Sequence, residues 1–373
     1  MIRLRFALLA LMVLGILPFV VGCEDDVEPV KLPGEVTIQN AYVGAPACRT
    51  CHQSQYTLFA ASGHAHALNA VVDGRPPVYP YSAVTEVPAG KTWGDILAVV
   101  GGYGWKANYL DQQGYLITGD AAQWNLETNA LVPFDPATVN RPFDCGRCHA
   151  TGYAEAGHQA GLPGIVGTWQ DDGVTCERCH SAGGAHVLSR LESDIHLDRS
   201  SELCGACHSR GDATNRVAAA DGFILQYSQY DELRSGPHKT LTCVACHDPH
   251  ASAVYAQAGK SVGLTCTECH ADIEIFNTGD GAHTCVNCHM AYAGKSAVAR
   301  SANRGDLRSH LFRINAAADA EQFYTQDGRT FSNGYLTTSF ACLSCHTGRD
   351  RAWAAQFAPT IHSAGHLNRA AGR

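Results

Sequence analysis

The sequence predicts a mostly irregular fold, with short α-helices at eight repeated motifs and one small β-rich insertion. Three observations support this prediction. The motif Cys-x-x-Cys-His occurs eight times, only 8% of the residues are aromatic, and 37 of the 373 residues are glycine. The motifs start 19 to 97 residues apart, so they do not form a uniform structural repeat. A chain of this composition has few side chains for a large core, and we expect bound groups to supply much of it.

Numbered in chain order, motifs 1 to 8 occupy residues 48–52, 145–149, 176–180, 204–208, 243–247, 266–270, 285–289 and 342–346. On a short helix, the two thiols and the imidazole of one motif lie on the same face. The pattern therefore predicts covalent attachment of a c-type haem, with the thiols bonded to its vinyl groups and the imidazole bound to its iron. Paired Cys-x-x-Cys motifs can also bind zinc, but here a histidine follows every second cysteine.

Eight covalently bound c-type haems are thus the predicted cofactors, and the chain of haems is expected to form the core. The predicted thioether cysteines are Cys48, Cys51, Cys145, Cys148, Cys176, Cys179, Cys204, Cys207, Cys243, Cys246, Cys266, Cys269, Cys285, Cys288, Cys342 and Cys345. The predicted proximal iron ligands are His52, His149, His180, His208, His247, His270, His289 and His346.

The second axial ligand of each iron has to come from the remaining side chains. Eight of the nineteen histidines belong to motifs, which leaves eleven, and Met290 adjoins His289 and cannot reach the opposite face of the same haem. The predicted distal ligands are His64, His186, His196, His238, His250, His283, His310 and His362. His66, His158 and His366 are weaker candidates, and the choice between His64 and His66 is open.

The N-terminus has the pattern of an export signal. Arg3 and Arg5 precede an apolar run over residues 6–21, which ends in Val-Val-Gly before Cys23. We interpret residues 1–22 as a signal peptide, Cys23 as a lipidation site and residues 23–42 as a tether. The apolar run is shorter than the roughly 20 residues of a membrane-spanning helix. Ordinary cleavage near Gly22 is the alternative. Either reading predicts an exported protein, and lipidation would anchor it to a membrane at the periplasmic face or the cell surface.

Two haem domains are predicted after the tether. Residues 43–200 are expected to carry haems 1–3 and to include the β-rich insertion, over residues 76–142, where apolar segments alternate with glycine-rich turns. Residues 201–373 are expected to carry haems 4–8. Hairpins are predicted around residues 111–114 and 327–328. Aromatic residues of the insertion could form an electron relay, but packing is the favoured interpretation.

The formal net charge of −8 argues against nucleic-acid binding. An acidic surface instead favours redox partner proteins, such as other cytochromes and quinol-linked membrane donors.

Two pairs of segments resemble known multihaem cytochromes. The sequences CHATGY (148–153) and GVTCERCHSAGGAH (173–186) resemble the tetrahaem cytochrome of ammonia oxidisers and the family related to hydroxylamine oxidoreductase. That resemblance implies distal ligation by His64 and His186. The sequences CHDPH (246–250) and HTCVNCHM (283–290) resemble electron-transfer multihaem cytochromes of the periplasm and outer membrane, which implies distal ligation by His250 and His283.

Two functions are compatible with these patterns. An octahaem cytochrome with two histidines on every iron would carry electrons between membrane or periplasmic donors and periplasmic or extracellular acceptors. Surplus histidines also permit a homo-oligomer or filament, in which one subunit supplies a ligand to the next. The alternative is an octahaem reductase of nitrite, hydroxylamine or tetrathionate, which needs one iron with an exchangeable ligand.

Overall fold

The computed structural model describes residues 41–210, 216–255, 263, 265–273 and 284–362. All of them belong to one compact unit, Ile38–Arg373. The predicted signal peptide, Cys23, almost all of the tether, His283 and His366 lie outside the described residues. The proposed boundary at residue 200 stays a prediction.

Short helices form at most of the motifs, as the sequence predicts. The α-helices of the described part contain four to eight residues each. Their bounds are α1 Ala45–Arg49, α2 Gln53–Ala60, α3 Gly146–His149, α4 Cys176–His180, α5 Gly184–Ser189, α6 Ser201–His208, α7 Gln229–Ser235, α8 Cys266–Cys269, α9 Cys285–His289, α10 Thr338–Ala341 and α11 Arg351–Phe357. Motif 5 begins in a short 3₁₀ helix, Cys243–Ala245.

A seven-stranded sheet fills the long interval between motifs 1 and 2. Its strand order is β1-β2-β3-β4-β7, and β5 pairs with β3 and with β6. Six of its strands lie within the predicted insertion, whereas β1 precedes it. The strands are β1 Leu68–Ala70, β2 Ile96–Gly101, β3 Lys106–Asp111, β4 Tyr115–Leu116, β5 Gly119–Asn125, β6 Ala130–Phe134 and β7 Arg141–Pro142. The predicted hairpin over residues 111–114 joins β3 to β4.

A second sheet of five strands has the order β12-β11-β10-β15-β14, and two small two-stranded sheets pair β8 with β9 and β13 with β16. The predicted hairpin at Asp327 and Gly328 connects β14 to β15, and both residues have positive φ angles, of 51° and 73°. The strands are β8 Ala150–Thr151, β9 Asp171–Asp172, β10 Val217–Ala220, β11 Phe223–Leu225, β12 Gly294–Lys295, β13 Ile314–Asn315, β14 Phe323–Gln326, β15 Arg329–Ser332 and β16 Leu336–Thr337.

Hydrophobic clusters cover both faces of the first sheet. One face packs Val100, Leu110 and Phe143, and the other packs Val99 and Tyr109, since neighbouring strand residues point in opposite directions. A third cluster supports the second sheet. The polypeptide therefore builds part of the core from its own side chains, which the expectation of a haem-built core did not include.

Within the described residues, every helix is too short or too polar to cross a membrane.

Candidate metal centres

Six motif histidines each face a second histidine from another part of the chain. The ring centroids of these pairs are 5.9 to 6.4 Å apart: His52 and His186 (6.2 Å), His208 and His64 (6.3 Å), His180 and His250 (6.4 Å), His270 and His238 (6.0 Å), His247 and His310 (6.1 Å), and His289 and His362 (5.9 Å). All six partners are predicted distal ligands.

This spacing suits a metal ion held between two imidazoles. A ligating nitrogen lies about 2 Å from its metal, and the ring centre lies about 1 Å beyond that nitrogen, so two rings on opposite sides of one metal have centroids about 6 Å apart. The six centroid separations are therefore those expected where two histidines bind one haem iron from opposite sides.

Hydrogen bonds at Nδ1 leave Nε2 of several of these rings available to a metal. Nδ1 of His289 lies 2.7 Å from the Phe312 carbonyl oxygen, and Nδ1 of His186 lies 2.8 Å from the Leu191 carbonyl oxygen. An N–H donated to a carbonyl places the lone pair on Nε2, and such a bond also orients the ring.

Burial favours the neutral imidazole, which is the form that binds metal. Burial lowers the pKa of His208 to about 4, with a smaller contribution from the charge of His64. It lowers the pKa of His310 to about 3, with a contribution from His247.

Motif 2 differs from these six sites. In the described part of the chain, the His149 ring has no histidine ring opposite it, and its Nδ1 lies 2.8 Å from the Ala67 carbonyl oxygen. Tyr227 and Arg210 lie close to the motif 2 thiols, and the Arg210 guanidinium lies 5.4 Å from the centre of the Tyr227 ring. Tyr227 has a φ of 62°, a strained conformation for a side chain of this size. Sequence reasoning missed both residues, because neither belongs to a motif.

Motif 8 places His346 against Trp353 of α11, with ring centroids 5.0 Å apart. The predicted distal ligand His283 and the weaker candidate His366 both lie outside the described residues.

The remaining candidate histidines have other surroundings. The His66 ring stacks on Tyr103, and its two nitrogens lie within hydrogen-bond distance of Asn69 Oδ1 and the Ala60 carbonyl oxygen. Nδ1 of His158 lies 2.5 Å from the Ile165 carbonyl oxygen. His196 is exposed, and its backbone carbonyl lies 3.3 Å from Nδ1 of His180. The geometry thus favours His64 over His66 and places His196 beside the paired rings of His180 and His250, with no motif ring opposite it in the described part.

The motif thiols approach one another in pairs that join different motifs. Side-chain contacts connect Cys48 with Cys176, Cys148 with Cys207, Cys204 with Cys243, and Cys266 with Cys285. None of the sixteen motif cysteines forms a disulfide, so their thiols remain available for thioether bonds. The described residues include no group of three or more His, Cys, Asp or Glu side chains arranged to hold a bare metal ion.

Comparisons with known proteins agree with the motifs. The family model described as cytochrome c554 and c-prime matches residues 47–77 and 121–181, and the doubled CXXCH motif matches residues 236–275. No curated protein matches the chain significantly.

Two solved structures of multihaem cytochromes share the fold at low sequence identity. The octahaem sulfite reductase MccA of Wolinella succinogenes has a TM-score of 0.56 and 17% identity, over 81% of this chain and 65% of MccA. This chain therefore spans less than two thirds of the MccA length. The outer cell wall cytochrome OcwA has a TM-score of 0.50 and 16% identity, over 86% of each chain. An undecahaem cytochrome from the S-layer of Carboxydothermus ferrireducens has a TM-score of 0.41 and 17% identity, over 72% of this chain and 46% of that one.

The motifs, the family matches and the shared fold define a cytochrome that carries several covalently bound haems. The chain is a multihaem c-type cytochrome.

Proposed function

We propose that this cytochrome conducts electrons across the cell envelope through haems that are each held by two histidines. Bound c-type haem supplies reversible one-electron redox chemistry. The chain supplies two thiols and two imidazoles for each such site. The proposal depends above all on the six histidine pairs, whose centroid separations of 5.9 to 6.4 Å match ligation from both sides of an iron. An iron with two histidine ligands has no free position for a substrate, which favours electron transfer over catalysis at these sites.

Contacts between motifs support electron exchange within two groups of sites, motifs 1 to 5 and motifs 6 and 7. The thiol contacts bring motif 1 to motif 3, motif 2 to motif 4, motif 4 to motif 5, and motif 6 to motif 7. Arg178 of motif 3 also lies 3.9 Å from the Cys207 thiol of motif 4. Haems attached at neighbouring motifs would therefore lie close together, as electron exchange requires.

All eight motifs are proposed to carry haem. Mass spectrometry of the mature holoprotein should show eight haem additions on one chain. Six or fewer additions in fully matured protein would contradict the proposal.

The proposed location is a membrane surface in the envelope, reached by export and lipidation of Cys23. Redox proteins, including other cytochromes and quinol-linked donors, are the proposed partners. The variant Cys23→Ser should leave the membrane fraction with its haems intact. An unmodified wild-type N-terminus would rule out the lipid anchor.

Electron paramagnetic resonance (EPR) of the oxidised protein tests the ligation directly. We expect low-spin ferric signals from the six paired sites, because two imidazoles impose a strong ligand field. High-spin signals from several haems would contradict the histidine pairs as axial ligands.

Motif 2 supports a second candidate function, reduction of a small substrate such as nitrite, hydroxylamine or tetrathionate. The observation behind it is the His149 ring, which faces no histidine in the described part, together with Arg210 and Tyr227 near the motif 2 thiols. Burial, together with the charge of nearby Arg210, lowers the pKa of Lys106 to about 8. Two cationic side chains and a phenol in one region favour an anionic substrate that accepts hydrogen bonds.

Small-ligand binding distinguishes the two functions. A reductase predicts a high-spin signal from one haem that shifts when nitrite or hydroxylamine is added, and a weaker shift in Arg210→Gln. An electron conduit predicts no such signal and no reaction of the reduced protein with these ligands.

A further inference from the structure

A buried carboxylate inside motif 3 connects the two segments that carry the histidine pair of motif 1. Glu177 lies on α4, and only 2% of its surface is exposed. Buried carboxylates are costly unless hydrogen bonds compensate them, so the partners of Glu177 indicate what it does.

Three backbone amides donate to this carboxylate. Val43 N–H lies 3.0 Å from Oε1 and 3.1 Å from Oε2, and Gly44 N–H donates to Oε2 at 2.8 Å. Gly183 N–H donates to Oε1 at 2.7 Å. Hydrogen bonds to an ionised acceptor are stronger than neutral ones, and these three satisfy both oxygens of the side chain.

The three donors lie at the starts of two short helices. Gly44 is the N-cap of α1, which contains Cys48 and leads directly to His52. Gly183 is the N-cap of α5, which carries His186. One side chain therefore holds both the helix that precedes the proximal histidine of motif 1 and the helix that carries the histidine opposite it.

We infer that Glu177 is a positioning residue for the haem of motif 1, which sets the separation and relative orientation of His52 and His186. These rings lie 6.2 Å apart with an interplanar angle of 28°. The inference rests on the proposed function, because it takes this pair as the axial ligands of one iron. The sequence pattern does not reveal such a role, because the two positions between the cysteines of a motif accept many residue types.

The isosteric substitution Glu177→Gln tests this role. Glutamine has one acceptor oxygen, and its NH₂ group would face an amide N–H that now donates to the carboxylate. The two helix starts would then separate or rotate. The expected result in the full-length holoprotein is an EPR change confined to one haem, either shifted low-spin g values or a new high-spin signal, with the haem number by mass unchanged.

Glu268 offers a matched control. It also lies between the cysteines of a motif, but it is exposed, and its hydrogen bonds run to Thr265 at the start of its own helix. Glu268→Gln should leave the EPR spectrum of every haem as in the wild type. The same change in Glu268→Gln as in Glu177→Gln would overturn the inference, because it would then reflect any lost acid inside a motif.

The variant His186→Ala separates this inference from the proposed function. A new high-spin haem in His186→Ala supports the axial pair, and its absence contradicts that pair and the inference with it. If His186→Ala gives a high-spin haem while the Glu177→Gln spectrum superimposes on the wild type, the pair stands and the positioning role is wrong.

Glu177→Asp provides a second test if the Glu177→Gln protein does not acquire its full set of haems. Glu177→Asp keeps the charge and shortens the side chain by one methylene, so it should change the signal of the same haem. If both variants lose only the motif 1 haem by mass, the positioning role is supported. If both lose haems uniformly from all motifs, a role specific to motif 1 is overturned.

Discussion

The seven-stranded sheet and the motif-rich segment over residues 236–289 differ in how far their side chains are buried. In the sheet, Val99, Tyr109 and Leu110 are at most 1% exposed, and hydrophobic clusters cover both faces. In the motif-rich segment, residues 265–273 are all exposed, and so is Cys246 of motif 5. The interval without a motif builds a core from side chains, whereas the described residues of the interval with three motifs belong to none of the hydrophobic clusters.

Closely spaced motifs leave few residues for a hydrophobic core. Each motif commits three of its five residues to the cofactor, and the short intervals between motifs 5, 6 and 7 leave few positions for a strand or a long helix. We infer that the attached haems cover this segment, whereas the sheet is stable largely through its own packing. Four sets of variants test this difference between haem-covered and self-packed regions, from the largest expected effect to the smallest.

Removal of the motif 6 haem should have the largest effect. The double variant Cys266→Ala, Cys269→Ala should lack one haem by mass and should be cleaved by proteases within residues 236–289, because His238 and His270 would lose the iron between them. The sheet should remain protected. The variant Cys23→Ser is the control, since it removes a cysteine without removing a haem. An unchanged digestion pattern in the double variant would show that the polypeptide alone orders this segment.

Truncation of a core residue in the sheet should destabilise the protein without affecting the haems. Leu110 is 1% exposed, and Leu110→Ala should lower the free energy of unfolding by about 2–5 kcal/mol, from lost burial and the cavity left behind. Denaturant unfolding followed by circular dichroism measures this change. Val139→Ala, at a side chain 82% exposed, should change it by less than about 0.5 kcal/mol. Equal effects of the two substitutions would contradict a side-chain core.

Loss of one distal histidine should change a single haem and little else in the fold. His250→Ala should convert one low-spin haem to high spin, because the His180 iron would keep only one imidazole, and His238→Ala should do the same at motif 6. EPR with haem quantification measures the conversion. The control His66→Ala removes a ring that stacks on Tyr103 and should create no high-spin haem. A high-spin signal in the control, or none in the two variants, would require a different set of ligands.

A helix cap near motif 8 should have the smallest effect. The Asp350 carboxylate accepts a hydrogen bond of 2.7 Å from Trp353 N–H at the start of α11. Asp350→Ala should reduce stability by about 1 kcal/mol, and Asp350→Asn should retain most of it, because asparagine also caps helices well. Thermal unfolding compares the two. Equal losses in both variants would mean that the charge of Asp350, and not its cap, stabilises α11.

Much of the fold class could be predicted from local patterns. Short helices occur at most motifs because three cofactor-binding side chains must share one face, and both predicted hairpins form where glycine and aspartate permit tight turns. The sheet was harder to delimit, since β1 lies before the predicted insertion and pairs with β2 across a long loop.

The distal histidines show the limit of sequence reasoning most clearly. A count of imidazoles against motifs left eleven candidates, and the eight predicted distal ligands include all six histidines that the structure places opposite a motif ring, although the choice between His64 and His66 was open. The count could not pair His64 with His208 or His186 with His52, and it did not separate His196 from the paired histidines. Nor could it find Tyr227 or Glu177, whose neighbours come from distant parts of the chain.

The sequence by itself predicts where haems attach, because two thiols and an imidazole at fixed spacing act within one helical turn, independently of the rest of the chain. Only the tertiary structure decided which second histidine faces each of six motifs, and that motifs 2 and 8 face none in the described part. The physical reason is that an axial pair is a long-range contact. Its geometry depends on how separate segments pack and on hydrogen bonds, such as those of Glu177, that hold those segments together.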